Sequence, residues 1–476
     1  MTDVRGTAGA RTVDAPRADT LTADVVVIGA GAAGLAAAGA LAAAGLRVIL
    51  LEARERIGGR VHTLRDPASP VAIELGAEFV HGRPPVTWEL LDAMAQPIVE
   101  MQGDHLLADG TALYSPPEDV EREYGSVFAK LDPKRTPDRS FAEAVADCCG
   151  SEEWSERRAM AFQFVEGFHG AHPERVSERA LALGTKREAE IGERRGFRLP
   201  GGYDALIGAL AARAPAARLG CVVTRVAWNE RGVEVEAGAP GGAGLRVRAR
   251  RAVVTLPLGV LKAAPDEEGA VRFEPPLESR RAALDLVEVG AAARVVLLFR
   301  DRVWEDAALA RHGAGHDLSR LAFFYARTDA AFPVWWTQYP VVAPVITGWV
   351  GGPGAERLAG LPPDAMLDVA VATLARLLGA EPAALRERLA GAWSHDWRSD
   401  PFARGAYAYV AVGGLDAPRA LGAPIAGTLF FAGEATAGPG DIGTVHGAIA
   451  TGRRAAAELL AATRREPGAR AEAGAA

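Results

Sequence analysis

Residues 24–34 read DVVVIGAGAAG, and this stretch decides the fold. Val25-Val26-Val27-Ile28 is an apolar run without alternation, the pattern of a strand covered on both faces. It ends on Gly29, Gly31 and Gly34, spaced GxGxxG, and an Ala/Leu-rich helical stretch runs from Ala32 to about Ala44. The first glycine permits a tight turn, the second lets a pyrophosphate approach the backbone, and the third lets helix and strand pack closely. Phosphates then meet the free N–H groups of the helix N-terminus, where the macrodipole favours negative charge. A second strand, Arg47 to Leu51, completes a βαβ unit. It delivers Glu52, 18 residues after Gly34, where a carboxylate can accept hydrogen bonds from an adenosine ribose. In an Ala/Gly-rich chain the glycine spacing alone is weak evidence. Together with the strand, the helix and the carboxylate it specifies a dinucleotide-binding fold.

The next residues separate NAD from FAD. Glu52-Ala53-Arg54-Glu55-Arg56-Ile57-Gly58-Gly59-Arg60 places a second glycine pair and two cations just past the ribose carboxylate. The glycines let backbone close on a bulky cofactor, and Arg54 and Arg60 are suited to neutralising pyrophosphate as bidentate donors. Either arginine alone reads equally well as a solvated loop charge. With the glycine pair they favour FAD.

The 476 residues, 49% hydrophobic and 24% charged, suffice for two domains and a large core. A formal net charge of −7 provides no basic stripe for nucleic acid. No apolar run approaches a membrane span, and the N-terminus lacks the apolar core of a secretory signal, so a cytoplasmic location is the expectation. Cys148, Cys149 and Cys221 offer neither a disulfide framework nor metal-ligand spacing and read as packing residues; no metal is expected. Of 53 basic residues only Lys130, Lys134, Lys186 and Lys262 are lysines, so arginine is the default cation. Residues 1–22 and 464–476 are polar and aperiodic and read as flexible ends. Between them, segments 23–88, 199–290 and 393–463 are expected to assemble an FAD-binding domain, with 89–198 and 291–392 supplying a substrate domain.

Eight stretches carry a family resemblance: VVVIGAGAAGLAAA, LLEARERIGGRVHT, ELGAEFVHG, LPGGYDAL, VVTLPLGVLK, VGAAARVVLLF, WRSDPFARGAYAYV and FFAGEATAGPGDIGTVHGAIATGRRAA. From about Asp24 to Leu460 the chain resembles the flavin-containing amine oxidase superfamily of monoamine oxidases, polyamine oxidases and lysine-specific histone demethylases. The resemblance implies an α/β fold: a Rossmann-like FAD-binding domain of the glutathione-reductase-related type, interleaved with an α+β substrate domain. It implies FAD-dependent hydride removal from a C–N bond of a small-molecule amine, an imine that hydrolyses to an aldehyde, and O2 reduced to H2O2. The alternatives are a flavin dehydrogenase or an amino-acid or biosynthetic oxidase of the same fold, and a non-catalytic FAD-bound scaffold. The amine itself is not named by the sequence, and the oligomeric state stays open, a homodimer included.

Position by position, the resemblance implies a cofactor set that begins with Gly29, Gly31, Ala33 and Gly34 at the turn. Glu52 and Ala53 follow at the ribose, and Arg54, Gly59 and Arg60 near the pyrophosphate. Gly76, Ala77, Glu78 and Phe79 would line the flavin through backbone, and Val223 would contact adenine. Gly433 and Glu434 would sit beside pyrophosphate and ribityl, and Thr444 and Val445 at the flavin's pyrimidine end. Trp397 and Tyr407 fall on the family's aromatic positions, although both residue types more often serve as core. Ala406 stands where animal monoamine oxidases have their flavin-attaching cysteine, so the FAD is expected to be non-covalent. Thr444 stands where those enzymes have a second cage tyrosine. His81 occupies a site near the amine channel, and Lys262 reads as framework. Arg294 heads the buried-looking run Val295 to Phe299 at a position where most of the family has a lysine near the flavin's reactive nitrogen. A solvated strand end is the bland reading; in a dry site a guanidinium supplies charge but cannot titrate.

Overall fold

The computed structural model describes residues 19–465 apart from 95, 117–124, 193–194, 239–241, 243, 314 and 328. The opening run is the strand Asp19–Ile28, longer at its start than the sequence suggests. It pairs in parallel with Gly244–Val254 over its length and with Val48–Leu51 over its last residues. Asp19–Thr22 is therefore strand, which corrects the expected flexible end of 1–22; residues 1–18 lie outside the described residues. Of the expected tail, Arg464 closes the last helix and 466–476 lie outside the described residues. The expected boundary between 88 and 89 falls inside the helix Pro85–Ala93.

Among the described residues there are two seven-stranded sheets. In the first, Gly244–Val254 has Asp19–Ile28 along one edge. On the other edge it has Gly232–Gly238 for its first half and Leu429–Phe431 for its second. The helix Ala32–Ala43 packs on this sheet beside the C-terminal helix Val445–Arg464, and Leu35, Leu41, Ile449 and Leu459 share one core with Val25 and Val27. These residues fit the contact because Ala32–Ala43 consists entirely of Ala, Gly and Leu, which lets helix and sheet approach closely.

The second sheet runs in the order Leu389–Trp393, Ala292–Phe299, Val345–Gly351, Val334–Thr337, Leu321–Ala326, Asp104–Ala108, Leu113–Tyr114. Successive side chains on a strand point to opposite faces, and that decides the Trp335-Trp336 pair. Trp335 is fully buried with Phe324, Leu297 and the helix Pro363–Leu378, while Trp336 faces the other way. The unalternating run after Arg294 has the same explanation. Val295, Leu297 and Phe299 enter that core, while Val296 and Leu298 pack on Ile73 and Leu75. Among the described residues no helix is long and apolar enough to cross a membrane.

Candidate active site

A cavity of about 1010 Å³ runs from the glycine turn to the free face of the second sheet. All the expected cofactor-binding and catalytic residues line it except Gly34. Gly34 acts one layer behind: a Cβ there would lie 1.9 Å from the Gly29 carbonyl oxygen, so only glycine lets the helix close on the turn. Gly31 caps Ala32–Ala43 without a side-chain bond, and the first turn has no acidic residue, leaving N–H groups for an anion. Glu52 pins the turn, accepting from the Ala30 N–H at 2.8 Å and the Arg54 N–H at 3.0 Å.

Both candidate pyrophosphate cations already carry a carboxylate. Arg54 donates to Asp400 at 2.7 Å, and Asp400 also holds the His395 ring at 2.9 Å. Arg60 donates to Glu434 at 2.8 Å and to the Ala406 carbonyl at 2.7 Å. The second Glu434 oxygen accepts from the N–H groups of Ala408 and Gly443. Glu434 thus acts as a bracket joining Arg60 to two loops. Each guanidinium has five N–H donors, so both arginines keep capacity toward the cavity.

At the next wall, a Cβ on Gly76 would lie 1.9 Å from the Arg60 carbonyl oxygen, so the chain passes there only as glycine. Trp397 donates its indole N–H to the Leu75 carbonyl at 2.8 Å. Tyr407 donates its hydroxyl to the Phe168 carbonyl at 2.9 Å, and burial pushes its phenol above the ordinary range. Thr444 caps the helix Val445–Arg464: its hydroxyl accepts from the Gly447 N–H at 2.9 Å and donates to the Asp441 carbonyl at 2.6 Å. That helix also has no acidic residue in its first turn, so a second positive helix end faces the cavity. Burial pushes the imidazoles of His81 and His169 down to about 4, with His446 adding to the effect at His81, so both are neutral near pH 7. Lys262 donates to the Val287 carbonyl at 2.7 Å, a framework contact.

Arg294 is 8% exposed, which excludes the solvated strand end. Its guanidinium lies between the indoles of Trp336 and Trp349, 5.3 and 5.4 Å from their centroids. It donates to the Glu74 carbonyl at 2.8 Å and pairs with Glu78 at 3.3 Å, while its Nε has no partner. Glu78 also meets Arg198 at 3.0 Å and accepts from the Trp336 indole. Its side chain, which the sequence reading left without a role, therefore fixes two buried cations. Arg198 and Trp349 were not foreseen, because their partners come from remote strands. Phe323, Tyr325 and Arg327 were also missed, although LAFFYAR spaces them at the strand period of two.

Two glycines where a Cβ cannot fit, two helix N-termini without acidic residues in their first turns, and partnered but unsaturated arginines fit a dinucleotide flavin, and the volume leaves room for a substrate.

Comparison with known proteins agrees. The profile of the family described as flavin containing amine oxidoreductase matches residues 32–460. A polyamine oxidase of Oryza sativa subsp. japonica is 29% identical over 87% of this chain and 84% of its own length. A lysine-specific histone demethylase 1 homologue of Arabidopsis thaliana is also 29% identical over 87% of this chain, but the match spans only 55% of its length. Among solved structures, putrescine oxidase bound to putrescine superposes with a TM-score of 0.75 over 93% of this chain and 100% of its own, at 22% identity. The chain belongs to the flavin-containing amine oxidoreductases, and its cofactor is FAD.

Proposed function

We propose that this protein oxidises a primary or secondary amine to an imine, which hydrolyses to an aldehyde, with O2 reduced to H2O2. The observation that carries the reading is that Trp397, Tyr407 and neutral His81 share one cavity with the glycine turn, both helix N-termini and Arg294. FAD, when bound, would supply the two-electron acceptor for the hydride of the C–N carbon and the redox chemistry with oxygen. The chain's own contribution is positioning. Trp397 and Tyr407 are held by their polar ends, so their rings offer rigid apolar walls that exclude water and orient the amine. Neutral His81 and His169 offer lone pairs or N–H groups to an amine nitrogen. Ala406, on the cavity wall, leaves no thiol beside Tyr407, which supports non-covalent FAD.

The alternative of a dehydrogenase with poor oxygen use draws on Arg294. A guanidinium holds its charge in a buried site and cannot exchange a proton with oxygen-derived species. The experiment is to purify the protein, acid-precipitate it, and measure peroxide formed per amine consumed. The proposal expects yellow supernatant and one peroxide per imine; dye reduction without peroxide selects the dehydrogenase.

A further inference from the structure

The outer part of the cavity is walled by one face of the second sheet. Along Leu321–Ala326 the side chains of Phe323 and Tyr325 share that face, and Arg327 follows two residues on, also on the cavity wall. The aromatic rings form a track. Phe79 lies 6.1 Å from Phe323, and Phe323 lies 6.1 Å from Tyr325 with the rings 8° from parallel. Arg327 is the next step along it. The register Tyr325↔Val334↔Trp349↔Arg294 places Tyr325 three strand spacings from Arg294, about 14 Å across the sheet, and Arg327 follows Tyr325 by two residues, about 7 Å along the chain.

Among the described residues the charges along this wall are the reverse of what a polyammonium chain needs. Among the described residues each carboxylate lining the cavity is engaged: Glu52 at the turn, Glu434 with Arg60, Glu78 with Arg198 and Arg294, while Glu188 has an interaction of its own. Arg327, half-buried, has no carboxylate partner among the described residues.

Building on the amine-oxidase reading, we propose that the site selects amines carrying an anionic group, in the simplest case a carboxylate, remote from the reacting nitrogen. Arg327 anchors that group, and diamines and polyamines are disfavoured. A guanidinium presents a planar fork that matches a carboxylate with two parallel hydrogen bonds. The stacked rings take the apolar or aromatic body between the two ends. A second ammonium on the track would instead approach a half-buried cation with no carboxylate partner among the described residues, and like charges repel. The selectivity would thus depart from the substrate named for the putrescine oxidase fold neighbour.

The test is steady-state kinetics of the FAD-loaded enzyme on two arylalkylamines identical but for a terminal carboxylate, with putrescine and spermidine alongside. The carboxylate-bearing amine is expected to have kcat/KM higher by about tenfold or more, with both polyamines below the neutral monoamine. Arg327→Leu should raise KM for the carboxylate-bearing amine about tenfold with a smaller change in kcat, and Arg327→Lys should restore much of it. Flavin absorbance of each variant checks that fold and cofactor are intact. Faster turnover of putrescine or spermidine than of either monoamine overturns the inference, as does a carboxylate preference that survives Arg327→Leu; in both cases the amine-oxidase reading stands. If flavin-loaded protein turns over no amine in the panel, both fall together.

Discussion

Glu78 and Arg294 meet at 3.3 Å inside the protein, and Arg198 closes on the same carboxylate from 3.0 Å. The two guanidiniums are compensated by one side chain that is only 3% exposed. Charges this deep are tolerated because each has a partner, and removing one partner leaves the others stranded. Glu78→Gln should lower the unfolding free energy by about 3–5 kcal/mol, read by urea denaturation. A loss under about 1 kcal/mol would show that water already solvates the pair.

Arg294→Lys keeps the charge but loses the fork. A lysine cannot hold the Glu74 carbonyl and Glu78 while presenting a flat face to Trp336 and Trp349. It can exchange a proton. The expected result is a reaction of reduced enzyme with oxygen that is faster by about tenfold, followed by stopped-flow absorbance. An unchanged rate assigns Arg294 to the framework.

Burial pushes the Glu74 carboxyl up to about 7, against the pull of hydrogen bonds from the Tyr203 N–H and the Thr63 hydroxyl. The folded protein therefore binds more protons at this site than the unfolded chain between about pH 4.5 and 7. Its contribution to stability is complete below pH 4.5 and is lost as pH rises through 7. Glu74→Gln can keep both contacts and cannot ionise. Relative to the parent it should gain about 2 kcal/mol between pH 5 and pH 8, measured by urea unfolding at each pH. His81 acts in the opposite sense, since its imidazole is held down at about 4 and its stability contribution is lost as pH falls from 6.5. The Glu74 effect is therefore read as the difference between variant and parent.

Gly34→Ala tests the turn. The added carbon would lie 1.9 Å from the Gly29 oxygen, so the helix must move off the strand. Stability should fall by about 1–3 kcal/mol, and the purified variant should carry less FAD per chain than the parent. Full flavin content at unchanged stability would show that the turn relaxes without cost.

Much of the nucleotide half was legible because its signals are local. An unalternating strand, glycines at fixed spacing and a carboxylate at the end of the next strand all lie between Val25 and Glu52. Thr444 stood out only through the family resemblance, and the structure shows it to be the cap of the helix Val445–Arg464. The substrate half depends on pairings between remote strands. Nothing near Arg294 announces that Glu78, Arg198, Trp336 and Trp349 converge on it, and a charge at the head of an apolar run reads equally well as a strand end. Of Trp335 and Trp336, only the sheet decides which is core and which faces the cavity. Arg60 and Glu434 were both singled out, but as separate ligands. Their bond to each other spans 374 residues.

The central claim, that this cavity oxidises amines through FAD, is tested most directly by titrating the purified protein with amines in the absence of oxygen while recording the flavin spectrum. The panel holds simple monoamines, carboxylate-bearing amines, amino acids and spermidine. The account predicts that at least one amine bleaches the flavin stoichiometrically and that admitting air restores the colour with peroxide formed. A flavin-loaded protein that no amine bleaches would contradict it.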